Sequence, residues 1–349
     1  MERRKALGKQ VPFWEYGMKE CNETDLIHLF VKEPVEQYEI IDSSQGEEDF
    51  RETIIATLES GNKLVVKVSS NAFTTSESIK VWQRCAEEYR CLGYYCPQIY
   101  PSLMQEFPAV DYKGLHCIAY AEEFSPYQSV HQSSVVKPFR DELYAMTARV
   151  AAKRFDYASI PSGYCLFDLF PGEQMDEVTE NAVAFLEYCK SLPPQLEEQW
   201  KRIYARWETN RRELKEIYYQ LPFSVFQADF NDTNVLVDDE GNFVGIYDFN
   251  LAGRDEILNY LLREIYDGTF EEERQEILHA VKIASQYSFF SDLEIKAAPL
   301  IYRCVKPLWY SRVHELKNAG GDLTRIKVCL NEMEHAQTCE IDFKKAMHR

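Results

Sequence analysis

The chain has 349 residues, 39 of them basic and 57 acidic, for a formal net charge of −18. Such a field opposes nucleic acid and anionic lipid and favours cationic partners, so nucleic-acid and membrane-surface functions are set aside. With 45% hydrophobic, 13% aromatic and 28% charged residues, the composition is that of an ordered globular chain large enough for two packed lobes.

No apolar run reaches the length of a signal peptide or a membrane span, so a cytoplasmic protein is expected. Ten scattered cysteines, none in a close CxxC pair, read as reduced thiols rather than a disulfide framework or a structural zinc site.

In chain order, the apolar run Leu26 to Val31 predicts a short helix. After Pro34 come three strands rich in β-branched residues, Tyr38 to Ile41, Thr53 to Leu58 and Leu64 to Val68, joined by the hairpin-like connections SSQGEED and ESGN. Ile79, Trp82, Ala86 and Tyr89 recur at spacings of three and four, which predicts a helix over Thr74 to Leu92, capped at Thr75 or Ser76. Pro97 and Pro101 interrupt regular structure before a further strand, Leu115 to Ala121. Strand, strand, strand, helix, strand suits a small antiparallel sheet with one helix against it.

From Phe139 the pattern is helical almost to the end: residues 141–155, 176–192, Gln195 to Gln220, Ile257 to Ile265, Glu271 to Tyr287 and Ala297 to Leu316, with one more helix and a looser tail closing the chain. One exception interrupts this run. Asn234 to Val237 and Phe243 to Tyr247 read as two short strands around the turn DDEGN, where Gly241 relieves a tight bend.

That hairpin carries the densest polar chemistry. Asp229 stands five residues before Asn234, and Asp248 fourteen after it. A hairpin returns the chain on itself, so Asn234 at its start and Asp248 at its end can face one point. A carboxylate plus an amide oxygen is a hard ligand set suited to Mg²⁺ carrying phosphates and water. Asp229 is then placed to orient and deprotonate a substrate hydroxyl. The plain alternative makes all three ordinary turn and cap residues.

The stretch Gln227 to Asn250 resembles the catalytic core of the aminoglycoside phosphotransferase and choline kinase family, which has a protein-kinase-like fold. The family loop reads His-x-Asp, four residues and Asn, then two strands ending in Ile-Asp-Trp/Phe. Asp229 matches its catalytic aspartate, Asn234 its metal-binding asparagine and Asp248 its metal-binding aspartate, while Gln227 replaces its histidine. The resemblance covers about residues 36 to 320.

It implies a bilobal α+β fold: an N-terminal nucleotide-binding lobe over residues 1–121, a linker over 122–126, and a mainly helical C-terminal lobe over 127–349 that carries the catalytic hairpin 224–250. It implies ATP or GTP bound with Mg²⁺ in the cleft between the lobes. Lys67 in KLVVKVSS would grip the α- and β-phosphates, paired with a glutamate of the Thr74 to Leu92 helix; Glu87 is preferred, with Glu88 and Glu77 as alternatives. Backbone of Glu122, Glu123 and Phe124 would read the adenine. The loop Ser43 to Asp49, which would cover the phosphates, holds only Gly46 beside Glu47, Glu48 and Asp49.

The implied activity is phosphoryl transfer to a hydroxyl of a small, cationic or aminoglycoside-like acceptor, faced by Asp232, Asp255 and Glu256. A catalytically silent kinase-fold scaffold or ligand-binding protein is the alternative. Monomer and homodimer both stay open.

Overall fold

The computed structural model describes residues 21–46, 48–263 and 270–347. Glu47 of the acidic loop, the end of the helix expected to reach Ile265 and the last two residues of the expected tail lie outside the described residues. The architecture is the bilobal α+β one expected: a small N-terminal sheet-plus-helix lobe and a larger, mainly helical C-terminal lobe.

By packing, the chain forms two compact units, one of residues up to Ser76 with Tyr100–Phe124, the other of Glu77–Ile99 with residues from Ser125 onward. In the first, α1 (Glu23–His28) starts three residues before the apolar run that predicts it. Asn22 accepts from the Asp25 amide at 2.9 Å, and the Asp25 carboxylate accepts from the Asn22 amide at 3.2 Å. This reciprocal cap satisfies amides at the helix start and sets its origin.

The sheet runs β1 (Val35–Asp42), β2 (Phe50–Leu58), β3 (Lys63–Ser70), then β6 (Leu115–Glu123), with β4 (Ile99–Tyr100) and β5 (Ala109–Tyr112) beside β6. Alternation in β2 turns Ile54 and Ala56 inward. There they join Val66, Val68, Ala119, Ala121, Leu26 and Ile27 in one buried cluster. β5 escapes the sequence pattern because it is four residues long and pairs with β6 through the tight turn at Lys113 and Gly114, both at positive φ.

The second unit contains most of α2 (Ser76–Cys91). Tyr89 of α2 is fully buried, edge-on to Phe249 with ring centroids 5.9 Å apart. Then follow β7 (Gln128–Ser129), α3 (Arg140–Lys153), α4 (Glu177–Cys189), α5 (Glu197–Tyr218), β8 (Phe223–Phe226), β9 (Val235–Val237), β10 (Phe243–Ile246) and β11 (Gly253–Glu256). The chain closes with α6 (Ile257–Arg263), α7 (Phe270–Ala284), α8 (Asp292–Val305), α9 (Tyr310–Asn318), α10 (Leu323–Thr338) and α11 (Phe343–Met347).

The single helix expected over Ala297 to Leu316 is two, α8 and α9. Pro307 lacks an amide proton and cannot donate to the Arg303 carbonyl, so the helical ladder stops there. Strands β8 and β11, to which the sequence reading assigns no element, pair antiparallel, Phe226 opposite Gly253 and Phe223 opposite Glu256. No helix among the described residues is long and apolar enough to cross a membrane.

Candidate active site

The expected hairpin forms: β9 and β10 pair antiparallel, with Val235 opposite Ile246. Gly241 has φ +77, as its turn requires. At Gly245 a close approach forbids any side chain, because a Cβ there would lie 1.8 Å from the Tyr95 carbonyl oxygen. Tyr95 bonds the hairpin edge on both sides, its amide to the Val244 carbonyl at 2.8 Å and its carbonyl to the Ile246 amide at 3.0 Å. On the other edge β7 pairs with β9. The hairpin is thus fixed along both edges, and the residues at its ends have defined positions.

Between β8 and β9 the chain makes a tight loop. Asn231 closes it by accepting the amides of Asn234 at 2.8 Å and Val235 at 3.2 Å on its carbonyl, and that of Thr233 at 2.9 Å on its side chain. Its amide nitrogen donates to Asp229 Oδ1 at 2.8 Å. Asn234, buried, donates from Nδ2 to Asp229 Oδ2 at 2.9 Å and to the Asp229 carbonyl at 3.1 Å. Both Asp229 oxygens are therefore held by amides, which fixes the carboxylate plane without neutralising it. Burial, then the Asp248 carboxylate, raise the Asp229 pKa, while the bonds from Asn231 and Asn234 oppose that rise.

Because Asn234 commits its nitrogen to Asp229, its Oδ1 is directed elsewhere, with only the Thr233 hydroxyl near it at 3.4 Å. Asp248 is half-buried at φ +58, a left-handed turn uncommon for a non-glycine residue. An amide oxygen and a carboxylate, both hard donors, fit a Mg²⁺ ion that takes its remaining ligands from phosphate and water. Among the described residues no group of three or more His, Cys, Asp and Glu is placed to hold a metal by itself.

Gln227, which no role was assigned from sequence, is fully buried at the centre of this arrangement. Its side-chain oxygen accepts the Asp229 amide at 2.8 Å. Its nitrogen donates to the carbonyls of Tyr247 at 2.9 Å and Asp248 at 2.7 Å. The Gln227 amide itself donates to the Tyr89 hydroxyl of α2 at 3.4 Å.

In the first unit, Lys67 is mostly buried on β3 and forms an ion pair with Glu122 at 3.1 Å. Register explains the pairing. Val65 lies opposite Glu122 and Lys67 opposite Tyr120, so Lys67 and Glu122 are diagonal neighbours on one face. Glu87, preferred as the partner of Lys67, instead has an exposed side chain and pairs with Arg90 of its own helix at 3.8 Å. Glu88 pairs with Arg84 at 3.9 Å. The expected adenine-reading segment begins inside the sheet: Glu122 and Glu123 are the last residues of β6, and Phe124 follows with Lys63 Nζ 4.7 Å from its ring. In the acidic loop, Asp49 turns back to Arg51 at 2.9 Å and Asn71 at 3.0 Å.

The acceptor residues divide. Asp232 is exposed in the loop between β8 and β9. Asp255 and Glu256 are a correction: they are 0% and 1% exposed and face the protein interior. Asp255 accepts from Ser162 at 2.7 Å, Asn259 at 2.9 Å, Tyr218 at 3.1 Å and Tyr260 at 3.1 Å. Glu256 accepts the Leu258 and Asn259 amides that open α6, at 2.8 and 2.6 Å. Every carboxylate oxygen is used, so neither residue faces an acceptor. A cavity of about 640 Å³ on α5, lined by Phe167, Trp207, Arg211 and Lys215 among others, includes none of the expected site residues.

Comparison with known proteins agrees with the fold. Among solved structures, the chain superposes on amicoumacin kinase hAmiN in complex with AMP-PNP, Ca²⁺ and Ami, with TM-score 0.54 and 14% identity over 91% of this chain and 94% of that one. It also superposes on an aminopropanol kinase associated with a microcompartment (TM-score 0.52, 11% identity, 90% and 94% covered). A third is an aminoglycoside phosphotransferase from Alicyclobacillus acidocaldarius (TM-score 0.51, 11% identity, 95% and 97% covered). At these identities the likeness is one of fold. No curated protein sequence matches the chain. The family model described as the phosphotransferase enzyme family matches residues 52–280, more than half of the chain, and the protein belongs to that family.

Proposed function

We propose that the protein transfers the γ-phosphoryl group of ATP or GTP to a hydroxyl of a small, cationic or aminoglycoside-like acceptor. The observation that carries this reading is the Asp229 carboxylate, held on both oxygens by Asn231 and Asn234 beside the turn that bears Asp248. A loop of solvated turn residues has no need of that arrangement. The similar structures are of kinases or phosphotransferases, among them kinases of amicoumacin and aminopropanol.

In this reading Lys67 engages the nucleotide phosphates. Asn234 and Asp248 would hold Mg²⁺, which when bound offsets phosphate charge and orients the γ-phosphoryl group. Asp229 accepts the hydroxyl proton of the acceptor as the new O–P bond forms. The bond from the γ-phosphorus to the bridging oxygen breaks in the same event, and the nucleoside diphosphate leaves with that electron pair. Catalysis of this kind rests on positioning and electrostatics, and no covalent nucleophile is required. A net charge of −18 favours a cationic acceptor, with Asp232 its candidate contact.

Calorimetric titration with ATP and GTP, with and without Mg²⁺, tests the proposal. Micromolar binding strengthened by Mg²⁺, and lost in Asp248→Ala, is the expected result, followed by an acceptor screen beginning with amino alcohols and aminoglycosides. Folded wild-type protein that binds neither nucleotide would overturn the kinase reading and leave a scaffold or ligand-binding role.

A further inference from the structure

The two ends of the candidate site belong to different turns, and each turn contains a residue in left-handed backbone conformation. Ala228, at φ +81, sits immediately before Asp229; the other is Asp248 itself, at φ +58. Non-glycine residues hold such conformations only where surrounding bonds over-determine them. One side chain supplies bonds to both turns, that of Gln227. Its carboxamide oxygen accepts the Asp229 amide, and its nitrogen donates to the Tyr247 and Asp248 carbonyls. It is fully buried, so water does not compete for these bonds.

We propose that Gln227 is a positioning residue. It clasps the proton-accepting Asp229 to the turn that carries Asp248, and so sets the separation between acceptor oxygen and nucleotide phosphate; the catalytic part of this inference rests on the function proposed above. Chemistry explains why an amide suits the task. A primary carboxamide presents one acceptor face and two N–H donors, and the three partners here are one N–H and two carbonyls. A neutral imidazole has one donor and one acceptor and can close two of the three bonds at most. A carboxylate of the same outline keeps the acceptor and loses both donors. At this position a glutamine can therefore close one bond more than a histidine could.

A graded series of variants tests this, read in two independent ways. In hydrogen–deuterium exchange, peptides covering 227–234 and 246–250 should both exchange faster in Gln227→Ala. Gln227→Glu should speed exchange chiefly at 246–250, and Gln227→His should fall between Gln227→Ala and wild type. These readings need no substrate, so they decide the clasp even if the protein proves not to be a kinase. In turnover, a misplacement of about 1 Å costs on the order of 10²-fold, so Gln227→Ala should lose about that much in kcat while nucleotide KM changes far less, with Gln227→His recovering part of the loss. A purely structural role would lower the amount of folded enzyme without separating kcat from KM. If Gln227→Ala does not fold, the Gln227→His and Gln227→Glu pair carries the same contrast. Wild-type exchange at both segments in the folded variants, or equal kcat for the His and Glu variants and wild type, would overturn the proposal.

Discussion

Asp229 and Asp248 on one hand, and Asp255 and Glu256 on the other, are two pairs of acidic residues on neighbouring stretches of the same unit, with opposite surroundings. The first pair is half-buried, on turns, with Asp229 held by two amide side chains. The second is sealed at the junction of β11 and α6, its oxygens taken up by hydroxyls, an amide side chain and the first amides of the helix. The same functional group is open for the proposed chemistry in one place and holds architecture in the other, and burial makes the difference: Asp255 and Glu256 are sealed, while Asp229 and Asp248 are only half-buried.

Substitutions that separate activity from stability sharpen that contrast. The largest effect is expected at Asp229: Asp229→Asn should lower kcat by about 10²- to 10⁴-fold in an assay of nucleoside diphosphate release, with the thermal midpoint near that of wild type. A comparable rate in the variant would remove Asp229 from the chemistry. Asp255→Ala should do the reverse. It strands several buried donors at once, and urea denaturation should show a loss of about 3 kcal/mol or more. If Asp255→Ala is stable but weak in acceptor binding, the distinction between the two pairs fails.

A smaller effect is expected where the hairpin is anchored. Gly245→Ala forces a methyl into the Tyr95 carbonyl and should lower stability by about 1–3 kcal/mol, read by thermal unfolding. Preservation of both stability and activity would show that the hairpin edge can yield.

The smallest effect concerns a carboxylate outside both pairs, Glu173. It lies at the surface, yet desolvation of its carboxyl, followed by the charges of Asp176, Glu177 and Glu180, raises it from 4.5 to about 7. A carboxyl with a raised folded pKa contributes fully below its unfolded value, and that contribution is lost as pH rises through the folded one. Glu173→Gln should therefore leave the midpoint unchanged at pH 4, raise it modestly through the window from 4.5 to about 7, and hold that gain at pH 8. Solvent screening keeps the shift small. A gain of equal size at pH 4 would rule out the electrostatic cause.

Much of the fold is legible in the residues. Three β-branched runs, the stripe Ile79, Trp82, Ala86 and Tyr89, and the turn around Gly241 each state a local preference that the tertiary fold does not contest. β5, β8 and β11 are not legible in the same way. They are four residues each, and short strands exist through their partners rather than through any pattern of their own. In the site, Asp229, Asn234 and Asp248 stand out because polar residues interrupt apolar strands. Gln227 carries no such signal, since nothing in a glutamine's sequence position reveals that its amide will meet two turns. Its place in a loop where the family has a histidine was the available clue.

By itself the sequence determined the order of the longer strands and most helices, the hairpin and the types of group available for phosphate chemistry, because these depend on neighbours a few residues away. Tertiary structure alone decided which carboxylates lie open and which are sealed, that Lys67 meets Glu122, and that Gln227 joins the loop to the Asp248 turn. Burial and hydrogen bonding are set by residues distant in the chain. They change what a carboxylate or an amide can do without changing the letter that encodes it.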